Sequence, residues 1–402
     1  MMRFRDSIAA NLRYWHARVR PLQDREYVTL DPDREGLARA VAYGLNLLET
    51  WEAAARLELA LMDYIESRGL WRNWIPLFAR ALDACPPDNL LLHGKLACRL
   101  GFLYRLDGQL EPALVLHQQA AADAEQVGDL AEKSMAHLGI ADEYFLMKNY
   151  TPAERHARAA LEVFTQAGET GPRLRAAFNL LGMNAQERGA YLEAEKYYRE
   201  ALAEPHGADP PRKRGQVLMN LAYPLRDLGR YPEARAVLEE ALTLLLQTKS
   251  TLLWNQAQLA LGTIHFAQQA WDAAEAAFRA LDTRYLQRFG HTLLLAQQAN
   301  NLGNVYLKQH AYPAAAEQLA YAAQLFRELG DDVNLGNTLG DLGEACLRQG
   351  DAAQARQLWE ESLALLTKYP QNAWARKRYQ DVLAQRDQLG ADFRSLHPMA
   401  PE

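Results

Sequence analysis

Residues 301–322 read NLGNVYLKQHAYPAAAEQLAYA, and residues 220–241 read NLAYPLRDLGRYPEARAVLEEA. Laid over one another without a gap, both place a small residue after Asn-Leu (Gly303, Ala222). A tyrosine follows nine residues later (Tyr312, Tyr231), and an alanine three residues beyond that (Ala315, Ala234). Five more segments fit the same frame. Their small residues are Gly101, Ala141, Gly182, Gly262 and Gly343; the middle slot holds Leu110, Tyr150, Tyr191, Trp271 and Ala352; the alanines are Ala113, Ala153, Ala194, Ala274 and Ala355. The steps between successive alanines are 40, 41, 40, 40, 41 and 40 residues. A period this regular marks a repeat array, in which each unit buries its apolar face against its neighbours.

The frame describes a helical hairpin. The small residue on the first helix lets the second pack close, the alanine faces it across the hairpin, and the aromatic or aliphatic residue fills the turn. Pro112, Pro152, Pro232 and Pro313 stand at the start of second helices, where a missing N–H costs nothing. Gly108, Gly189, Gly229 and Gly350 end first helices, and Gly128-Asp129 and Gly330-Asp331 end one hairpin and cap the next helix. No stretch alternates with period two, so no sheet is expected.

Spacing, small residues and turn aromatic together resemble the tetratricopeptide repeat family across residues 93–366, in a longer variety with a period near 40. The resemblance implies an all-α, right-handed superhelix of about eight helical hairpins with capping helices at both ends. The division it suggests is an N-terminal helical cap and linker at 1–50, a degenerate first repeat at 51–92, seven repeats at 93–368, and a capping helix with tail at 369–402. In the degenerate repeat Trp71 takes the turn slot, Trp74 the alanine slot and Met62 the glycine slot. The stretch 204–215, EPHGADPPRKRG, is expected to project as a loop. The last helix is expected over Asn372–Leu389, with Arg376, Lys377, Arg378, Asp381, Arg386 and Asp387 on its outer face. Trp15, Trp51, Trp71, Trp74, Trp271 and Trp374 are read as packing residues. The entry segment around residues 30–85 is similar to the entry to the sensor array of bacterial STAND NTPases, but the chain has no GxxxxGK[ST] loop.

Composition agrees with a folded chain. Of 402 residues 49% are hydrophobic and 23% charged, enough apolar surface for a large core. Forty-four basic against 50 acidic residues leave a net charge of −6, which gives no electrostatic footprint for nucleic acid. Arg212-Lys213-Arg214 and Arg376-Lys377-Arg378 lack interleaved aromatics and read as solvated. Cys85, Cys98 and Cys346 form no CxxC pair, and no apolar run approaches a membrane span. The N-terminal residues lack a signal-peptide core, and a cytoplasmic location is expected. HExxH, GxSxG, the Rossmann glycines and the EF-hand loop are all missing from the sequence. The expectation is a protein without enzymatic activity, metal or cofactor.

First helices of such an array line its concave wall, and offsets of −6, −2, +1 and +5 from the small residue share one face. That face gathers amides and charges: Lys95, Arg99, Asp142, Gln186, Gln256 and Gln297 among others. The peptide-binding groove is expected to use Asn220, Tyr223, Arg226, Asn301, Asn304, Lys308, Asp341 and Glu344. The family resemblance implies that an asparagine two residues before the small slot, as Asn220 and Asn301 are, bonds the backbone of an extended peptide. A primary amide donates and accepts at once. The function expected is protein or peptide binding by a scaffold. The alternative is a ligand- or peptide-sensing regulatory subunit that controls a separately encoded NTPase or transcription regulator.

Overall fold

A computed structural model describes residues 2–20, 22, 27–204, 211–248 and 250–396. Every regular element among them is helical, and the chain divides into two compact units, Met1–Asp209 and Pro210–Glu402.

The first unit opens with α1 (Met2–Val19), a 3-10 turn at Tyr27–Asp33, and α2 (Arg34–Gly44). There follow α3 (Leu48–Ala60), α4 (Met62–Arg68) and α5 (Trp71–Asp83). The first helix of the degenerate hairpin is thus broken at Leu61, immediately before Met62. Leu12, Trp15, Leu37, Val41, Trp51 and Trp74 close one core among these helices. Three regular hairpins follow: α6 (Leu90–Leu106) with α7 (Leu110–Val127), α8 (Leu130–Leu146) with α9 (Tyr150–Gln166), and α10 (Pro172–Glu187) with α11 (Tyr191–Ala203). Asn89 caps α6 by accepting from the Leu92 N–H, and Asp129 caps α8 by accepting from that of Glu132.

The second unit holds α12 (Pro211–Asp227) with α13 (Tyr231–Gln247) and α14 (Thr251–Ala267) with α15 (Trp271–Arg279). After α16 (Thr283–Arg288) come α17 (Thr292–Lys308) with α18 (Tyr312–Leu329), α19 (Asp332–Arg348) with α20 (Ala352–Leu366), and α21 (Ala373–Leu396). α15 is short because Asp282 turns to cap α16, and the Asp282 N–H is taken by the buried Asn255 side chain at 2.6 Å. Three expectations are corrected. Arg212–Gly215 lie inside α12 rather than in a loop, with Pro211 starting the helix; residues 205–210 of that segment lie outside the described residues. The last helix runs to Leu396, past Leu389. Trp374 is exposed, while Trp15 and Trp51 are packed as expected.

All seven ladder alanines are fully buried. The side chain that fills the small-residue slot, however, stands four residues past the alanine. His117 meets Gly101, Tyr198 meets Gly182, Phe278 meets Gly262, Leu319 meets Gly303 and Trp359 meets Gly343. A Cβ at Gly182 would lie 2.6 Å from the Tyr198 ring, and one at Gly303 would lie 2.5 Å from Leu319 Cγ. In these five hairpins the glycine therefore serves as a socket for one large side chain. Dispersion and area burial at that socket hold the two helices together.

Candidate functional site

In the second unit α12, α14, α17 and α19 lie side by side in succession, and α21 follows against α19 and α20. The small-slot glycines turn toward the second helices, so the opposite face of each first helix forms a wall.

On α12, Asn220, Tyr223 and Arg226 are half-buried. The Arg226 guanidinium sits 5.5 Å from the Tyr223 ring centroid and pairs with Asp227 at 2.8 Å. Burial pushes the Tyr223 phenol above its ordinary range, and the nearby Arg226 opposes this. On α17, Asn301 and Asn304 are half-buried and Lys308 is exposed. On α19, Glu344 pairs with Arg348 at 3.9 Å, and Asp341 accepts from Arg378 of α21 at 2.6 Å. Burial pushes the Asp341 carboxyl up, against the pull of Arg378 and a hydrogen bond from Asn304. The structure thus joins Asn304 and Asp341 with Arg378 into one cluster, with Glu344 close enough to oppose ionisation of Asp341.

The sequence reading places Arg378 on the outer face of the last helix, and the structure corrects this by turning it inward to Asp341 of α19. It also reaches the Asn337 carbonyl at 3.4 Å, and its neighbour one turn on, Val382, is fully buried against Gly340. The signal was present in sequence: Ala375, Tyr379 and Val382 form an apolar stripe, and Arg378 lies beside it rather than opposite.

The two units treat their first-helix residues differently. In the first unit Lys95 pairs with Asp129 at 3.7 Å, Arg99 with Glu132 at 3.2 Å, and Arg105 with Asp142. Gln186 accepts from the Tyr198 hydroxyl at 3.2 Å. These groups are spent on joining helix to helix. In the second unit Gln256, Gln297 and Asn301, on neighbouring helices, are half-buried and have no hydrogen-bond partner among the described residues. No group of three or more His, Cys, Asp or Glu among the described residues is arranged to hold a metal ion. No helix among the described residues is long and apolar enough to cross a membrane.

Among curated proteins, none matches the sequence. Among solved structures, the apo form of the quorum sensor NprR from B. thuringiensis is similar at 16% identity and a TM-score of 0.60, covering 90% of this chain and 99% of that one. NprR in complex with its cognate peptide NprX matches at 13% identity and a TM-score of 0.52, covering 75% and 86%. Aspartyl phosphate phosphatase F from Bacillus subtilis matches at 17% identity and a TM-score of 0.53, covering 92% and 95%. At these identities the likeness is one of fold. Two sequence families, both described as tetratricopeptide repeat, match directly, one at residues 132–203 and 294–368 and the other at 215–247. Those matches lie on hairpins described above, and the chain therefore carries tetratricopeptide repeats.

Proposed function

We propose that the protein is a binding scaffold that holds a protein segment or peptide against the first-helix wall of its second unit, with Gln256, Gln297 and Asn301 bonding the backbone of the bound chain. Asn220, Tyr223, Arg226, Asn304, Lys308, Asp341 and Glu344 complete the surface. The observation that carries this reading is the set of half-buried amides without partners on adjacent helices. A half-buried amide without a protein partner still reaches solvent, and a peptide carbonyl and N–H bond it at little ordering cost because the helices are already fixed. At the equivalent positions of the first unit, Lys95 and Arg99 are held in ion pairs and Met135, Gly139, Ala176 and Leu180 offer no side-chain amide, which points the reading to the second unit. NprR, which shares the fold, is known with a cognate peptide, and that makes short peptides the first ligand class to screen.

The test is affinity capture from the native host with wild type and with Gln297→Ala/Asn301→Ala. Neither side chain has a partner among the described residues, so the variant keeps its fold by circular dichroism. Loss of a captured partner supports the proposal; identical recovery with both proteins removes it.

A further inference from the structure

The hairpin of α8 and α9 carries one departure from its neighbours. Position 137 on α8 and position 156 on α9 face each other across the hairpin. Forty-one residues on, the same two positions hold Phe178 and Tyr197, whose rings stack at 6.5 Å. In other hairpins the pair is Ala97 with Leu116, Leu218 with Val237, or Leu339 with Leu358. In α8–α9 both are histidines. The ring centroids of His137 and His156 are 5.4 Å apart, and the two Nδ1 atoms face each other at 3.1 Å.

We propose that His137 and His156 form a binding site for a divalent transition-metal ion of the zinc, nickel or copper class, held by the two Nδ1 atoms with water completing its coordination. Two imidazole nitrogens 3.1 Å apart can both reach one ion at bonds of about 2.0–2.1 Å, with an angle of about 100° at the metal. That lies between the octahedral and tetrahedral ideals. Imidazole is the ligand these ions prefer, and it binds as the neutral ring. Both rings are held neutral. Burial and Lys133 lower the His137 pKa, and burial, His137 and Arg155 bring that of His156 to about 4. Protons therefore do not compete for the site at pH 7. Each ring is half-buried, which leaves water and ions a path.

The neighbouring charges set limits on affinity. Lys133 is paired with Glu125, which offsets its repulsion. The exposed Arg155 points a guanidinium nitrogen at His156 Nε2 from 3.5 Å. In the metal-free state His156 then carries its proton on Nδ1 and donates that N–H to His137 Nδ1, whose own proton is on Nε2. On metal binding that proton moves to Nε2, the Arg155 contact is released, and no net proton leaves the pair. Tyr144, stacked on His156 at 5.9 Å, keeps the ring in place through the change.

The experiment uses the full, tag-free chain titrated with zinc or nickel chloride by calorimetry, alongside melting curves with and without metal. The control variant is His137→Phe/His156→Tyr, which installs the pair already used one hairpin on and so folds. Expected are one ion per chain at micromolar affinity, a melting midpoint raised by metal in wild type, and neither in the variant. Equal uptake by wild type and variant would assign the metal to other histidines and overturn the proposal. So would absence of uptake by wild type at millimolar metal.

Discussion

Tyr198 of α11 lies directly over Gly182 of α10, with a bridging distance of 2.6 Å between its ring and the place a Cβ would take. The ring is fully buried, so neither partner can give way without moving a helix. Gly182→Ala is expected to destabilise the protein by about 1–3 kcal/mol through overpacking, although alanine is the better helix former. Gly36→Ala in α2, where a Cβ would meet nothing within 4 Å, is expected to stabilise by about 0.5–1 kcal/mol. Urea denaturation of both variants checks the pair; opposite signs are required.

Three hairpin turns use a non-glycine residue in the left-handed region: Lys148, Gln269 and His310, with φ of 60°, 60° and 62°. Other hairpins place Gly108, Gly189, Gly229 and Gly350 at the same step. An L side chain there costs about 1–2 kcal/mol, part of which glycine returns in unfolded-state entropy. Gln269→Gly is expected to raise stability by about 0.5–1 kcal/mol, and Gly229→Val to lower it by more, both measured by the urea midpoint.

Glu58 is buried in the first unit's core with both carboxylate oxygens unpaired. Burial pushes its pKa well above the usual carboxylate value, with Arg80 opposing. The folded state therefore keeps a proton that the unfolded chain has lost. Stability from this group is full below the unfolded pKa and falls as pH rises toward the folded one, by up to about 1.4 kcal/mol per pH unit. Glu58→Gln keeps the volume and removes the titration. Stability of the variant relative to wild type is expected to grow from pH 5 to pH 7, read by urea unfolding at each pH.

Asp341 and Arg378 form a partly buried pair at 2.6 Å. Removing the guanidinium leaves a desolvated carboxylate beside Glu344. Arg378→Ala is expected to cost about 2–3 kcal/mol, and Arg378→Ala/Asp341→Asn less than the sum of the single changes. A double-mutant cycle measures this coupling directly.

The hairpins were legible because three slots per repeat hold a narrow range of residue types at fixed spacing. Socket residues were not, because that position holds His117, Ala157, Tyr198, Leu238, Phe278, Leu319 and Trp359, and shape rather than residue type unites them. The break after α15 depends on a hydrogen bond from the Asp282 N–H to Asn255, 27 residues away, which no local pattern announces. At the wall, helical offsets placed the amides on one face. Whether a given side chain is free or spent depends on its partner one helix on: Arg99 meets Glu132, whereas Asn301 meets no hydrogen-bonding group among the described residues. That distinction belongs to packing and is invisible in a single repeat. For Arg378 the face was legible from the stripe of Ala375, Tyr379 and Val382, and only its partner Asp341, 37 residues away, was not.

The claim that the second unit's wall is a binding surface is tested most directly by site-specific photo-crosslinking in the native host. A photoreactive residue is placed at Gln297 on the wall and, separately, at Leu246, which is exposed on α13. The account predicts a discrete crosslinked partner from position 297 and none from position 246. The same adducts from both positions, or none from position 297, would contradict it.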